Sequence, residues 1–165
     1  MFYNHTNNKI FDDFEHKYKD DIYALFPHIS DIEIHFFNTE QYQQLEDVPG
    51  FDTLDYDAFA FSCNRINDIV IANVIFSPSI CSALNFSFDE LTAAIAHEIG
   101  HIIHYFNTAL VDAPCIYTEM KADEVVAQLK LRKPLIKVLE KLIQSGKYSV
   151  SQCNDMTKRI MFLKM

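Results

Sequence analysis

The 165-residue chain carries 23 acidic against 14 basic residues, a formal net charge of −9, and a field of that sign repels phosphate backbones and anionic membrane surfaces, so no nucleic acid is expected as a partner. With 49% apolar and 22% charged residues it has the make-up of an ordered chain, read as one domain over residues 1–165. No stretch approaches the roughly 18 continuous apolar residues of a membrane span, no basic-then-apolar leader opens the sequence, and Cys63, Cys81, Cys115 and Cys153 show no paired spacing; the expectation is a cytoplasmic protein with reduced thiols, whose oligomeric state the sequence leaves open.

Ile10, Phe14, Tyr18, Ile22 and Leu25 recur at three- or four-residue steps and predict a first helix that Pro27 closes. Ile32, Ile34 and Phe36 then alternate with Glu33 and His35, the pattern of a half-buried strand. A short helix near Thr39 to Leu45 leads into a turn-rich stretch from Pro49-Gly50 to about Asp57. Two β-prone runs, Ala58 to Cys63 and Ile69 to Phe76, flank Asn64-Arg65-Ile66-Asn67-Asp68 and predict a hairpin with a longer loop. Ser77 to Asn85 is read as a loop.

Ser87, with Glu90 three residues on and Phe86 and Leu91 flanking, has the form of a capping box plus hydrophobic staple and should start a helix that runs to about Phe106. After a loop containing Pro114, a helix is predicted from about Tyr117 to Arg132. Pro134 suits the first turn of another, whose stripe of Leu135, Val138, Leu139, Leu142 and Ile143 ends at Gly146; a last helix, capped by Ser149 or Ser151, runs to the end. The fold class expected is α+β: a small, mostly antiparallel sheet from about residues 31–37, 58–63 and 69–76, packed on the helix after Ser87, with the other helices behind.

That helix carries His97-Glu98-Ile99-Gly100-His101. Two histidines four apart on a helix project from one face, so both imidazoles can reach one metal ion, while Glu98 points partly aside, where it can take a proton from water instead of ligating. A catalytic zinc site needs a third protein ligand, and Glu119, on the next predicted helix, is the best candidate. Asp123 lies one turn beyond and could accept the free N–H of a ligating histidine. The alternative for this pair is a solvated acidic helix face. Gly100 is one of only three glycines and costs about 1 kcal/mol relative to Ala inside a helix, so something there needs a bare backbone: close approach of a neighbouring element under the metal, or ordinary tight helix packing.

The order His97-Glu-Ile-Gly-His101 followed by Glu119-x-x-Ala-Asp123 resembles the gluzincin group of zinc metallopeptidases. The resemblance extends over about Phe59 to Lys130, and two branches are closest: minimal soluble gluzincins, with the immunity-type antirepressor proteases among them, and the CAAX-prenyl-protease-like group, whose late Arg-Ile pair is similar to Arg159-Ile160. It implies a zincin-like fold in which His97, His101 and Glu119 bind Zn2+, Glu98 is general base and Asp123 orients a ligand. It also implies that extended substrate adds as a strand to Ile69–Phe76.

His104 stands about two turns from His97, too far along a straight helix to share one ion. Tyr105 and Tyr117 could stabilise an oxyanion, though the expectation is buried tyrosines with satisfied hydroxyls. His5, His16, His28 and His35 are read as surface or rim residues. The function expected is zinc-dependent hydrolysis of a peptide or protein substrate; the alternative is a weakly active or inactive regulatory module of the same fold that binds a protein partner.

Overall fold

A computed structural model describes residues 1–45, 58–105, 107, 110 and 113–165. The expected turn-rich stretch from Pro49 to Asp57, the expected helix end at Phe106, and Asp112 lie outside the described residues. The chain divides into two compact units, Met1–Cys81 and Ser82–Met165. Among the described residues no helix is long and apolar enough to cross a membrane.

The first unit is built on a four-stranded sheet of order β1-β2-β4-β3: β1 (Phe2–Asn4), β2 (Ile32–Asn38), β3 (Phe59–Ile66) and β4 (Ile69–Phe76). β1 and β2 are parallel, β2 and β4 are parallel, and only β3 and β4 are antiparallel. The sheet is therefore mixed, not mostly antiparallel as the sequence suggests. Alternation of side chains reports which face a residue occupies and says nothing of strand direction. β1, at three residues, is also too short to show a period. Helix α1 (Ile10–Leu25) supplies the crossover that the parallel β1–β2 pair requires.

Helices cover both faces of this sheet. Phe11 of α1 packs on Phe36, ring centroids 4.7 Å apart, while α2 (Thr39–Gln43) sets Tyr42 against Phe37 and Ile75 on the opposite face. Adjacent strand residues point to opposite faces, which is why Phe36 and Phe37 serve separate cores. Beside Tyr42 lies a buried neutral network: the Tyr42 hydroxyl is 3.0 Å from Ser62 Oγ, and Asn73 Nδ2 donates to the same oxygen at 3.0 Å.

Two local features differ from the sequence expectation. The hairpin has a two-residue turn, since Asn64, Arg65 and Ile66 pair with Ile71, Val70 and Ile69; Asn67 and Asp68 take φ of 50° and 67°, the positive pair that such hairpins require. Asn-Asp can enter that region without glycine. The segment expected as a loop after Phe76 contains a short helix, α3 (Pro78–Ala83).

The second unit is helical: α4 (Phe88–His104), α5 (Cys115–Gln128), α6 (Arg132–Gln144) and α7 (Val150–Lys164). The Ser87–Glu90 capping box is present, and Lys141 of α6 donates to the capping carboxylate at 2.6 Å. α5 stops four residues before the expected Arg132. Lys130 has φ 63°, and the Lys130 and Leu131 N–H groups bond back to the carbonyls of Ala127 and Val126, a Schellman ending with lysine where glycine is usual. Ser149, not Ser151, caps α7, and Gly146 at φ 69° follows α6 as expected.

Candidate metal centre

α4 and α5 run against each other, and the residue that permits it is Gly100. A Cβ built there would stand 2.7 Å from the Ala122 carbonyl oxygen and 2.8 Å from its Cα. Both are backbone atoms and cannot swing aside. The bare backbone at Gly100 thus sets the distance between the helix of His97 and His101 and the helix of Glu119 and Asp123.

At that spacing three donors converge. His97 Nε2 and His101 Nε2 are 3.1 Å apart, His97 Nε2 is 3.2 Å from Glu119 Oε2, and His101 Nε2 is 3.2 Å from Glu119 Oε1. Glu119 meets the two imidazoles through different oxygens, and one donor atom from each of the three residues can be chosen with all three within 4.8 Å of one another, close enough to share one ion. His97, His101 and Glu119 form the group able to hold a metal ion among the described residues. The Glu119 side chain keeps 26% of its surface exposed, so the cluster is reachable from solvent.

Behind the triangle, each group is held by another. Asp123, fully buried, accepts from His97 Nδ1 at 2.9 Å, which leaves the Nε2 lone pair turned toward the cluster. Arg159 of α7 clamps Asp123 with two bonds of 2.8 Å, Nε to Oδ2 and Nη2 to Oδ1, and its Nη1 donates to Glu119 Oε2 at 2.6 Å. Two carboxylates, Asp123 and Glu119, thus share one guanidinium and the His97 ring, with Glu98 buried next to that histidine in sequence.

The electrostatics follow this crowding. Burial and the Arg159 charge pull the His97 pKa down, but hydrogen bonds to Asp123 and Glu119 outweigh them and raise it to about 9. Burial works to raise the Glu119 and Asp123 carboxyls, yet histidine and Arg159 contacts hold both below the usual carboxylate range. Glu98, 8% exposed, goes the other way: burial lifts its pKa above the ordinary value, against the opposing pull of His97 and His101.

Compared with protein-family models, with curated proteins and with solved structures, the chain matches none.

Of the residues singled out in the sequence, His97, His101 and Glu119 come together, Asp123 bonds His97, and Glu98 sits buried on the same helix. His104 is outside the cluster, and Glu124 turns away to Lys121 at 2.8 Å. Tyr105 and Tyr117 are not buried: they are 48% and 47% exposed, each near the end of its helix. His5, His16 and His28 are exposed and His35 half-buried. The strand-addition site implied for Ile69–Phe76 has no free edge, because β4 is paired with β2 on one side and β3 on the other over nearly its whole length.

The part played by Arg159 is not legible from the motif. A signal for it exists in α7, where Arg159 shares the buried face with Ile160 and Leu163. Arginine in an apolar stripe must meet an anion, because an unpaired buried charge is too costly to keep.

Proposed function

We propose that the protein is a zinc-dependent metallopeptidase of the gluzincin kind, acting on a peptide or protein substrate. The reading is carried by the convergence of His97, His101 and Glu119, one donor atom from each within 4.8 Å of the others, a set of two imidazoles and one carboxylate suited to Zn2+. Bound there, zinc supplies Lewis acidity toward the scissile carbonyl and makes water a better nucleophile near neutral pH.

The chain's own residues supply the rest. Glu98, one position from His97 and lifted in pKa by burial, takes the proton of the attacking water on a carboxylate oxygen and later passes it to the leaving amine. A base with a raised pKa both accepts and returns a proton more readily near pH 7. Asp123 fixes the tautomer of His97 and makes its Nε2 more basic.

Two measurements test this. Protein purified without added zinc should contain the metal in stoichiometric amount. Glu98→Gln, which keeps the shape and removes the basic oxygen, should retain that zinc and lose peptide hydrolysis by at least ~100-fold. Equal hydrolysis by the variant would defeat Glu98 as base; zinc in both proteins with cleavage by neither would favour the partner-binding module.

A further inference from the structure

We propose that Arg159 is the positioning residue that makes Glu119 a one-oxygen ligand, holding Oε2 back so that Oε1 alone faces the ion. The inference rests on the metal reading above and goes on to the coordination number.

The two oxygens of Glu119 are otherwise equivalent. Oε2 lies 3.2 Å from His97 Nε2 and Oε1 lies 3.2 Å from His101 Nε2, so the histidines do not choose between them. Arg159 does. Its Nη1 donates to Oε2 at 2.6 Å, as short as any ion pair of the second unit, and Oε1 has no such bond to it. To ligate through both oxygens, Glu119 would have to share Oε2 between two cations or break a charge-assisted bond.

Arg159 cannot yield by following the carboxylate. The guanidinium is planar and rigid, and its Nε and Nη2 are both fixed on Asp123 at 2.8 Å. With one edge of the fork held, the remaining nitrogen points where Glu119 Oε2 is. Asp123 is in turn fixed by His97 Nδ1 at 2.9 Å and is fully buried. The restraint thus passes from α4 through α5 to α7 and back to Glu119. It leaves three protein donor atoms for the ion and keeps the rest of its coordination sphere for water and substrate.

Cobalt(II) is the probe, because four-coordinate Co2+ absorbs visible light several-fold more strongly than five- or six-coordinate Co2+. The unsubstituted chain should bind one Co2+ with the intense four-coordinate spectrum. Arg159→Lys keeps the charge but cannot grip Asp123 with two bonds and reach Glu119 as well; Arg159→Gln removes the charge. In both, visible absorption should fall several-fold as Glu119 turns to chelate, and Co2+ affinity should fall about 10- to 100-fold. A general loss of packing would weaken binding without raising the coordination number.

Variants that are folded by circular dichroism and keep the four-coordinate spectrum would overturn the proposal while leaving the metal reading intact. Failure of the unsubstituted chain to bind Co2+ would overturn both. Should neither variant fold, the carboxylate infrared stretches of the unsubstituted chain decide alone: a widened splitting on Co2+ binding supports one-oxygen ligation by Glu119, and the narrowed splitting of a chelating carboxylate defeats it.

Discussion

Each unit of the chain buries a polar cluster, and the two are built on different terms. In the sheet, Tyr42, Ser62 and Asn73 share neutral hydrogen bonds, and Asn73 Oδ1 meets no partner among the described residues. In the helical unit, His97, Glu119, Asp123 and Arg159 are ionised or ionisable and every one has a short partner from another helix. A neutral group can be left over at a cost of about 1 to 3 kcal/mol. A buried charge cannot, so the charged cluster is closed on itself except toward the face where a cation would sit.

The sharpest way to break that contrast is to open the closed cluster. Arg159→Ala takes the guanidinium from Asp123 and Glu119 and leaves them to the histidines alone, and the loss of stability, measured by denaturant unfolding, should be about 3 to 5 kcal/mol. Added zinc should recover part of it by supplying the missing positive charge. A loss under about 1 kcal/mol would mean the clamp is no more than a surface ion pair.

Gly100→Ala comes next. Its methyl meets Ala122 backbone, so the two helices must part, at a cost of about 1 to 3 kcal/mol with zinc affinity reduced as well. Unchanged zinc affinity in the variant would uncouple helix spacing from the site.

A titration sharpens the comparison from the charged side. Without a cation His97 has a pKa of about 9, so at pH 7 it carries a proton that ligation must displace. Zinc binding at pH 7 should then release about one proton from this ring, seen by calorimetry in buffers of different ionisation enthalpy. The sign follows: affinity should rise with pH up to about 9, by about tenfold per unit from this group, and level off above it. A pH-independent affinity would contradict the raised value.

The smallest effect belongs to the neutral cluster. Ser62→Ala removes the oxygen that the Asn73 amide donates to and that the Tyr42 hydroxyl meets, and should cost about 1 kcal/mol, with zinc binding untouched.

What was legible in the sequence is what helical period and local chemistry encode. The four-residue step of His97 and His101 places them on one face whatever else the chain does, and Ser87 with Glu90 marks where that helix starts. The chemistry of a third ligand led to Glu119 on the following helix, and the rarity of glycine pointed to a close approach at Gly100. What was not legible depends on partners distant in sequence. Strand direction in the sheet is fixed by crossovers and not by alternation, so the parallel pairing of β2 with β1 and β4 went unseen. Lys130 ends α5 in a conformation usually signalled by glycine. Arg159 meets Asp123 across 36 positions of chain, a distance over which no local pattern speaks.

The Gly100–Ala122 contact also bears on transplanting the site. Five side chains copied onto another helical pair would fail to reproduce the triangle unless the recipient helices approached as closely as these do, backbone against backbone. The portable unit is a pair of helices at fixed separation. A scaffold chosen first for that separation, with histidines and carboxylates added afterwards, is the better starting point for design.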